Sequence, residues 1–140
     1  DAARHPVPAV DLWPWTPPQP ALVVPVAPGP RADWFTDASR ERLFATRWTV
    51  GARAARVGIR LEGPPLERTP AASSRELESE GMLPGAVQVP PDGLPVVLGP
   101  DGPVTGGYPV IGVVTAAGRT LLAQARPGTH LLLRHASPRV

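Results

Sequence analysis

The sequence predicts a mainly β fold: a closed or nearly closed β-barrel of six or seven strands with one or two short helices. Three observations point there. Short runs rich in Val, Ile and Leu recur at hairpin spacing. Turn clusters punctuate them, among them Pro28-Gly29-Pro30, Asp92-Gly93, Asp101-Gly102 and Pro127-Gly128. Finally, residues 57–62 alternate, with Val57, Ile59 and Leu61 set against Gly58, Arg60 and Glu62.

Bulk properties fit this class. At 140 residues the chain suits one domain. There is no cysteine, so disulfides and thiolate metal sites are excluded and nothing favours secretion. The formal charge is +2, yet the isoelectric point is 10.4. All 14 basic residues are Arg, which keep their charge to very high pH. The Arg residues are scattered among acids, which argues against nucleic acid. No apolar run reaches the roughly 20 residues of a membrane span, so the reading is cytoplasmic.

Taken in order, residues 1–20 form a Pro-rich extended linker, and 21–140 the barrel domain. Trp13 and Trp15 in the linker either pack on the domain or bind a ligand. Ala21–Ala27 reads as a strand, and Pro25 places it at an edge. Asp33–Thr46 reads as a helix, capped by Asp33 or Thr36, with Phe35, Ala38 and Leu43 on its apolar side. Trp48–Val50 and Val57–Glu62 are strands. Arg60 and Glu62 share a face, either as a solvent-facing ion pair or with Arg60 turned into a barrel mouth. Pro64–Ser74 is loop. Gly85–Val89, Leu94–Leu98 and Pro109–Thr115 are further strands. Ala116–Ala125 holds a short helix stopped by Pro127-Gly128, Thr129–Arg134 is the last strand, and Ala136–Val140 is a loose end.

The familiar catalytic constellations are missing. No Gly-rich phosphate loop precedes a helix. His5, His130 and His135 show no metal spacing, and His130 reads as a hydrogen-bonded structural residue. Glu78 and Glu80, two apart, either share a proton or cation or form a solvated acidic turn. Asp92-Gly93 and Asp101-Gly102 are hairpin turn signals. Thr105-Gly106-Gly107-Tyr108 is either a tight Gly-Gly hairpin or a loop whose backbone N–H groups approach a ligand. The polar rim read from these segments comprises Glu80, Gln88, Asp92, Thr105 and Tyr108, and no reaction follows from it.

Read together, the motifs resemble one family: allophanate hydrolase subunit 2, KipA, or the C component of 5-oxoprolinase, related to the carboxyltransferase part of biotin-dependent urea carboxylase. The residues that carry the resemblance are Val57-Gly58-Ile59-Arg60-Leu61-Glu62-Gly63-Pro64, Ser79-Glu80-Gly81, Pro84-Gly85, Gln88-Val89-Pro90, Asp92-Gly93, Thr105-Gly106-Gly107-Tyr108-Pro109, and Gln124 with Pro127-Gly128. The resemblance covers about residues 21–134. It implies a cyclophilin-like β-barrel, one of two such halves in the usual family protein, with the N-terminal half missing here.

The resemblance also implies a component of an ATP-dependent amidohydrolase complex acting on 5-oxoproline or a urea-derived amide. The partner would be a KipI-like protein, known also as the B component of 5-oxoprolinase or as allophanate hydrolase subunit 1. ATP would be used through the complex, with no cofactor or metal assigned to this chain and no activity expected of it alone. The alternative is a KipA-type regulatory protein that binds a KipI-like inhibitor of a sensor histidine kinase. A lone proline isomerase is a third reading, carried only by the fold. The candidate pocket residues are Arg60, Glu80, Gln88, Asp92, Thr105, Gly106, Gly107 and Tyr108, with no catalytic residue assigned. Two departures from the family pattern stand out. Ala54-Ala55 replaces a polar pair, and Pro103-Val104 replaces Gln-Thr.

Overall fold

The strands close on themselves because apolar residues alternate along them and each inward row meets the next. Residues 20–137 are described by the structure, a computed structural model. The barrel strands are β1 (Leu22–Pro28), β2 (Arg47–Val50), β3 (Gly58–Glu62), β5 (Ala86–Gln88), β6 (Val96–Leu98), β8 (Val110–Val114) and β9 (His130–His135). They close in the order β1-β8-β5-β6-β3-β2-β9. All neighbours are antiparallel except β1 and β9, whose parallel register from Leu22↔Leu131 to Val26↔His135 completes the ring. Two two-residue strands, β4 (Glu80–Gly81) and β7 (Thr105–Gly106), pair with each other outside the ring.

The core fills the barrel. Val24, Val26, Trp48, Leu61, Val87, Leu131 and Leu133 are completely buried. Each such side chain contributes about 1.5–3 kcal/mol. The Trp48 indole N–H donates to the Leu43 carbonyl at 2.9 Å, so its one polar atom is satisfied. Gly63 lies against the Trp48 ring, where a Cβ would come within 2.7 Å of Cε3.

Among the described residues three short helices cap and flank the ring: α1 (Asp37–Ala45), α2 (Pro70–Ser73) and α3 (Ala116–Leu122). Each starts on a threonine in extended backbone. Thr36, Thr69 and Thr115 accept from the N–H three residues on, at Ser39, Ala72 and Gly118. Thr36 is thus the cap, while Asp33 belongs to a separate 3₁₀ turn, Ala32–Trp34. Ala38 is exposed, and buried Ser39 takes its place facing inward, where its hydroxyl accepts from the Glu67 N–H at 2.8 Å. The helix α2 falls inside the segment read as loop.

Two readings of side-chain and strand placement change. Pro25 is not on an edge, because β1 pairs on both sides. It is tolerated because the β8 ladder ends one residue away, at Val26↔Val114. There the Pro25 carbonyl still accepts from Thr115 N–H at 3.1 Å as the chain turns into α3. Arg60 does not point into a barrel mouth. Leu61 beside it is buried in the core, so Arg60 projects from the outer wall. Its partner is Asp92, not Glu62.

Asp92-Gly93 forms the expected turn between β5 and β6, with Gly93 at φ +78°. The Asp92 carboxylate accepts from Leu94 N–H at 3.0 Å. Thr105-Gly106-Gly107 is not a Gly-Gly hairpin, since neither glycine has positive φ. Both glycines sit in tight places: a Cβ on Gly106 would stand 3.1 Å from Met82 Cε, the end of a flexible side chain, and one on Gly107 3.3 Å from the Leu77 carbonyl. Trp13, Trp15 and His5 lie outside the described residues. No helix among the described residues is long and apolar enough to cross a membrane.

Candidate functional site

A second apolar cluster lies outside the barrel, under the β4–β7 pair: Met82, Ala86, Leu98 and Val110, with Val96 and Val113 against it. Strand register fixes what stands beside it. Arg60 pairs with Val96, Val96 with Gln88, and Gln88 with Val110, one row across four strands. With strands roughly 4.8 Å apart, the Arg60 and Gln88 backbones are about 10 Å apart on the same face. The β5–β8 register shifts at Val87/Gln88, a bulge that leaves Ile111 unpaired beside Gln88.

Each end of this row holds an ion pair. At the β3 end Arg60 binds Asp92. At the β8 end Arg31 binds Glu80, and Arg31 is anchored there by its own backbone N–H, which donates to the Val110 carbonyl at 3.0 Å. Between them Gln88 approaches Gly106, a Cβ on which would stand 3.6 Å from Gln88 Oε1. Glu80 pairs with Gly106 and Gly81 with Thr105, which sets the flap over the row. The Val89 N–H donates to the Pro109 carbonyl at 3.0 Å, which ties the segment after β7 to the end of β5. Arg60, Asp92, Gln88, Glu80 and Gly106 therefore lie along one outer surface, with Thr105 on the flap; Gly107 packs near the Leu77 carbonyl, and Tyr108 is exposed.

The carboxylates are committed. The Arg31 hydrogen bond holds Glu80 below its ordinary range. The Leu94 N–H, and then Arg60, hold Asp92 low. Both stay anionic at neutral pH and serve as acceptors, not as proton donors. Glu78 is exposed and makes no ion pair among the described residues, whereas Glu80 is bound by Arg31. His130 is structural: its Nδ1 lies 3.3 Å from Thr49 Oγ1. Among the described residues no three His, Cys, Asp or Glu side chains converge on a metal-sized site.

Arg31 is the residue that sequence reading missed. It sits 49 positions from Glu80, and only the Pro28-Gly29-Pro30 turn before it gave a signal. Its guanidinium also lies 5.8 Å from the Trp34 ring centre, and Arg75 stands 4.7 Å from the same ring.

Fold and site together are a closed barrel with a row of paired charges on its outer wall. A net-neutral row of paired charges around a carboxamide can hold a polar ligand, while nothing in the row is poised as nucleophile or general acid. The family follows from comparison with known proteins. The family model "Carboxyltransferase domain, subdomain A and B" matches residues 1–135, and the chain belongs to that family. It is 43% identical over 97 residues to the C component of 5-oxoprolinase from Escherichia coli (strain K12), covering 69% of this chain and 30% of that protein. To the corresponding 5-oxoprolinase component of Haemophilus influenzae it is 35% identical over 107 residues, covering 76% and 34%. The crystal structure of Kluyveromyces lactis urea carboxylase superposes with a TM-score of 0.79 at 25% identity, over 86% of this chain and 11% of that one. The chain spans about a third of the length of the curated relatives it matches.

Proposed function

We propose that this chain is one component of an ATP-dependent complex of the 5-oxoprolinase type, which opens a cyclic amide. The carrying observation is the row Arg60–Gln88–Glu80 with its two ion pairs, in a chain related to the C component of 5-oxoprolinase. A carboxamide both donates and accepts, so Gln88 matches the N–H and C=O of a lactam. Arg60 can exchange Asp92 for a ligand carboxylate. Thr105, the Gly106-Gly107 backbone and Tyr108 supply the rim. Since the row holds no activated nucleophile or acid, it binds and orients substrate, and a KipI-like partner and the ATP-using part of the complex supply the chemistry. The other half of the usual family protein is a second partner, and exposed Val57, Leu83 and Val104 suit such a contact.

The test is reconstitution with the KipI-like protein and the remaining partners, measuring ATP-dependent conversion of 5-oxoproline to glutamate. Arg60→Ala and Gln88→Ala are expected to raise KM at least about tenfold, the value of one charge-assisted contact. Unchanged KM and kcat in both would refute the assignment of this face.

The alternative is a KipA-type regulator that sequesters a KipI-like protein without catalysis. Ala54, Ala55, Pro103 and Val104 in place of polar side chains favour it, Val104 being 79% exposed. Tight binding of a KipI-like protein, without turnover in the reconstituted mixture, would select this reading.

A further inference from the structure

A cleft of about 640 Å³ opens at the barrel end beside α3 and contains none of the residues of the outer row. Its size falls within the roughly 300–1,000 Å³ of small-molecule sites. The floor is apolar: Ile59, Val97, Leu98 and Leu122, with Ala54 and Ala125. Its charged lining among the described residues is all of one sign, namely Arg56, Arg119 and Arg126.

The three arginines have different duties. Arg56 grips Asp101 through two contacts, at 2.6 and 3.2 Å, which ties the 54–56 loop to the 99–102 turn. Arg119 and Arg126 make no ion pair among the described residues. The Arg119 stem is nonetheless held in place. It packs on Gly85, where a Cβ would lie 3.1 Å from Arg119 Cδ. Two arginines without an ion pair among the described residues thus line an apolar hollow, a composition suited to an anion carrying a hydrocarbon body.

We propose that this cleft is a second binding site, for a small amphiphilic carboxylate or sulfonate whose anionic head meets Arg119 and Arg126 and whose apolar part covers Ile59, Val97 and Leu122. It does not depend on the lactam reading of the outer row. Ala54 and Ala55 are both in its lining, where larger side chains would narrow it.

The experiment titrates the 140-residue chain with anilinonaphthalene sulfonate, then displaces the probe with octanoate or octanol. One saturable site is expected, with octanoate displacing at least about tenfold better than octanol. The double variant Arg119→Ala/Arg126→Ala should bind both anions at least about tenfold more weakly, with an unchanged circular dichroism spectrum. Arg40→Ala, on α1 and outside the cleft, should bind like the parent. If the double variant does not fold, amide shifts in the parent decide: octanoate must move Gly85, Gly99 and Thr120 and leave Gln88 and Gly106. No saturable binding, equal displacement by octanol, a folded double variant that binds like the parent, or shifts centred on Gln88 would each overturn the proposal.

Discussion

Replacing Gly99 by Ala tests how tightly the cleft wall is built. A Cβ at Gly99 would lie 2.0 Å from the Arg56 carbonyl oxygen, against about 3.4 Å for ordinary contact. The two loops must therefore part by about 1.4 Å. That motion breaks the Gly99 N–H to Val57 carbonyl bond of 3.0 Å and strains the Asp101 N–H to Arg56 carbonyl bond of 3.2 Å. Overpacking costs about 1–3 kcal/mol, and a lost backbone bond about 1 kcal/mol more. The total is about 2–4 kcal/mol, less the roughly 0.4–1 kcal/mol that Gly→Ala returns by restricting the unfolded chain. The net loss is then about 1–3.6 kcal/mol, and with a urea slope near 2 kcal/mol per molar the unfolding midpoint should fall by about 0.5–2 M. Gly81→Ala is the control: nothing lies within 4 Å of its Cβ and its φ is not positive. Only the unfolded-state term remains there, so stability should rise slightly. A Gly99→Ala midpoint within experimental scatter of the parent, or an equal loss in Gly81→Ala, would refute the reasoning.

Thr36→Ala removes the acceptor of Ser39 N–H at 3.1 Å and should cost about 1 kcal/mol in thermal or urea unfolding. Thr36→Ser should recover most of it. Acid should destabilise the fold in a defined direction. Glu80, Asp92 and Asp101 sit below their ordinary values, owing to Arg31, the Leu94 N–H and Arg56 respectively. A folded value below the unfolded one means the stabilisation is complete above about pH 4.5 and lost as pH falls through the folded values. Urea midpoints should drop between about pH 5 and about pH 3, and Glu80→Gln should flatten part of that drop. An identical pH profile for Glu80→Gln would contradict the Arg31 clamp.

The barrel was legible where patterns are long enough to have a period. Ile59 and Leu61 inward with Arg60 outward is a period of two that survives in the structure, and Asp92-Gly93 marks its turn by chemistry alone. β4 and β7 were invisible because two residues carry no period; of their two glycines only Gly106 stands against a neighbour, Met82, while Gly81 has open space. The edge reading of Pro25 failed because a ladder can end one residue from a proline inside a closed ring. At the site, the grouping of Arg60, Gln88 and Asp92 was anticipated through family motifs. The partner choices were not: Arg60–Asp92 and Arg31–Glu80 span 32 and 49 positions, and ionic partners at such range are set by register. The cleft could not be read at all, because Ala, Pro and Gly lining residues look like ordinary loop and helix.

The parallel β1–β9 seam joins the first strand of the barrel to the last, from Leu22↔Leu131 to Val26↔His135. During synthesis β1 emerges before the other barrel strands and waits from Leu22 to Leu131, about a hundred residues, before this partner exists. Until β8 and β9 emerge both of its hydrogen-bonding sides are bare, edges on which nascent chains can misassociate. Local hairpins such as β5–β6 can form meanwhile, but the ring cannot. Closure is thus a single late event, slow in the way of topologies built on distant pairings.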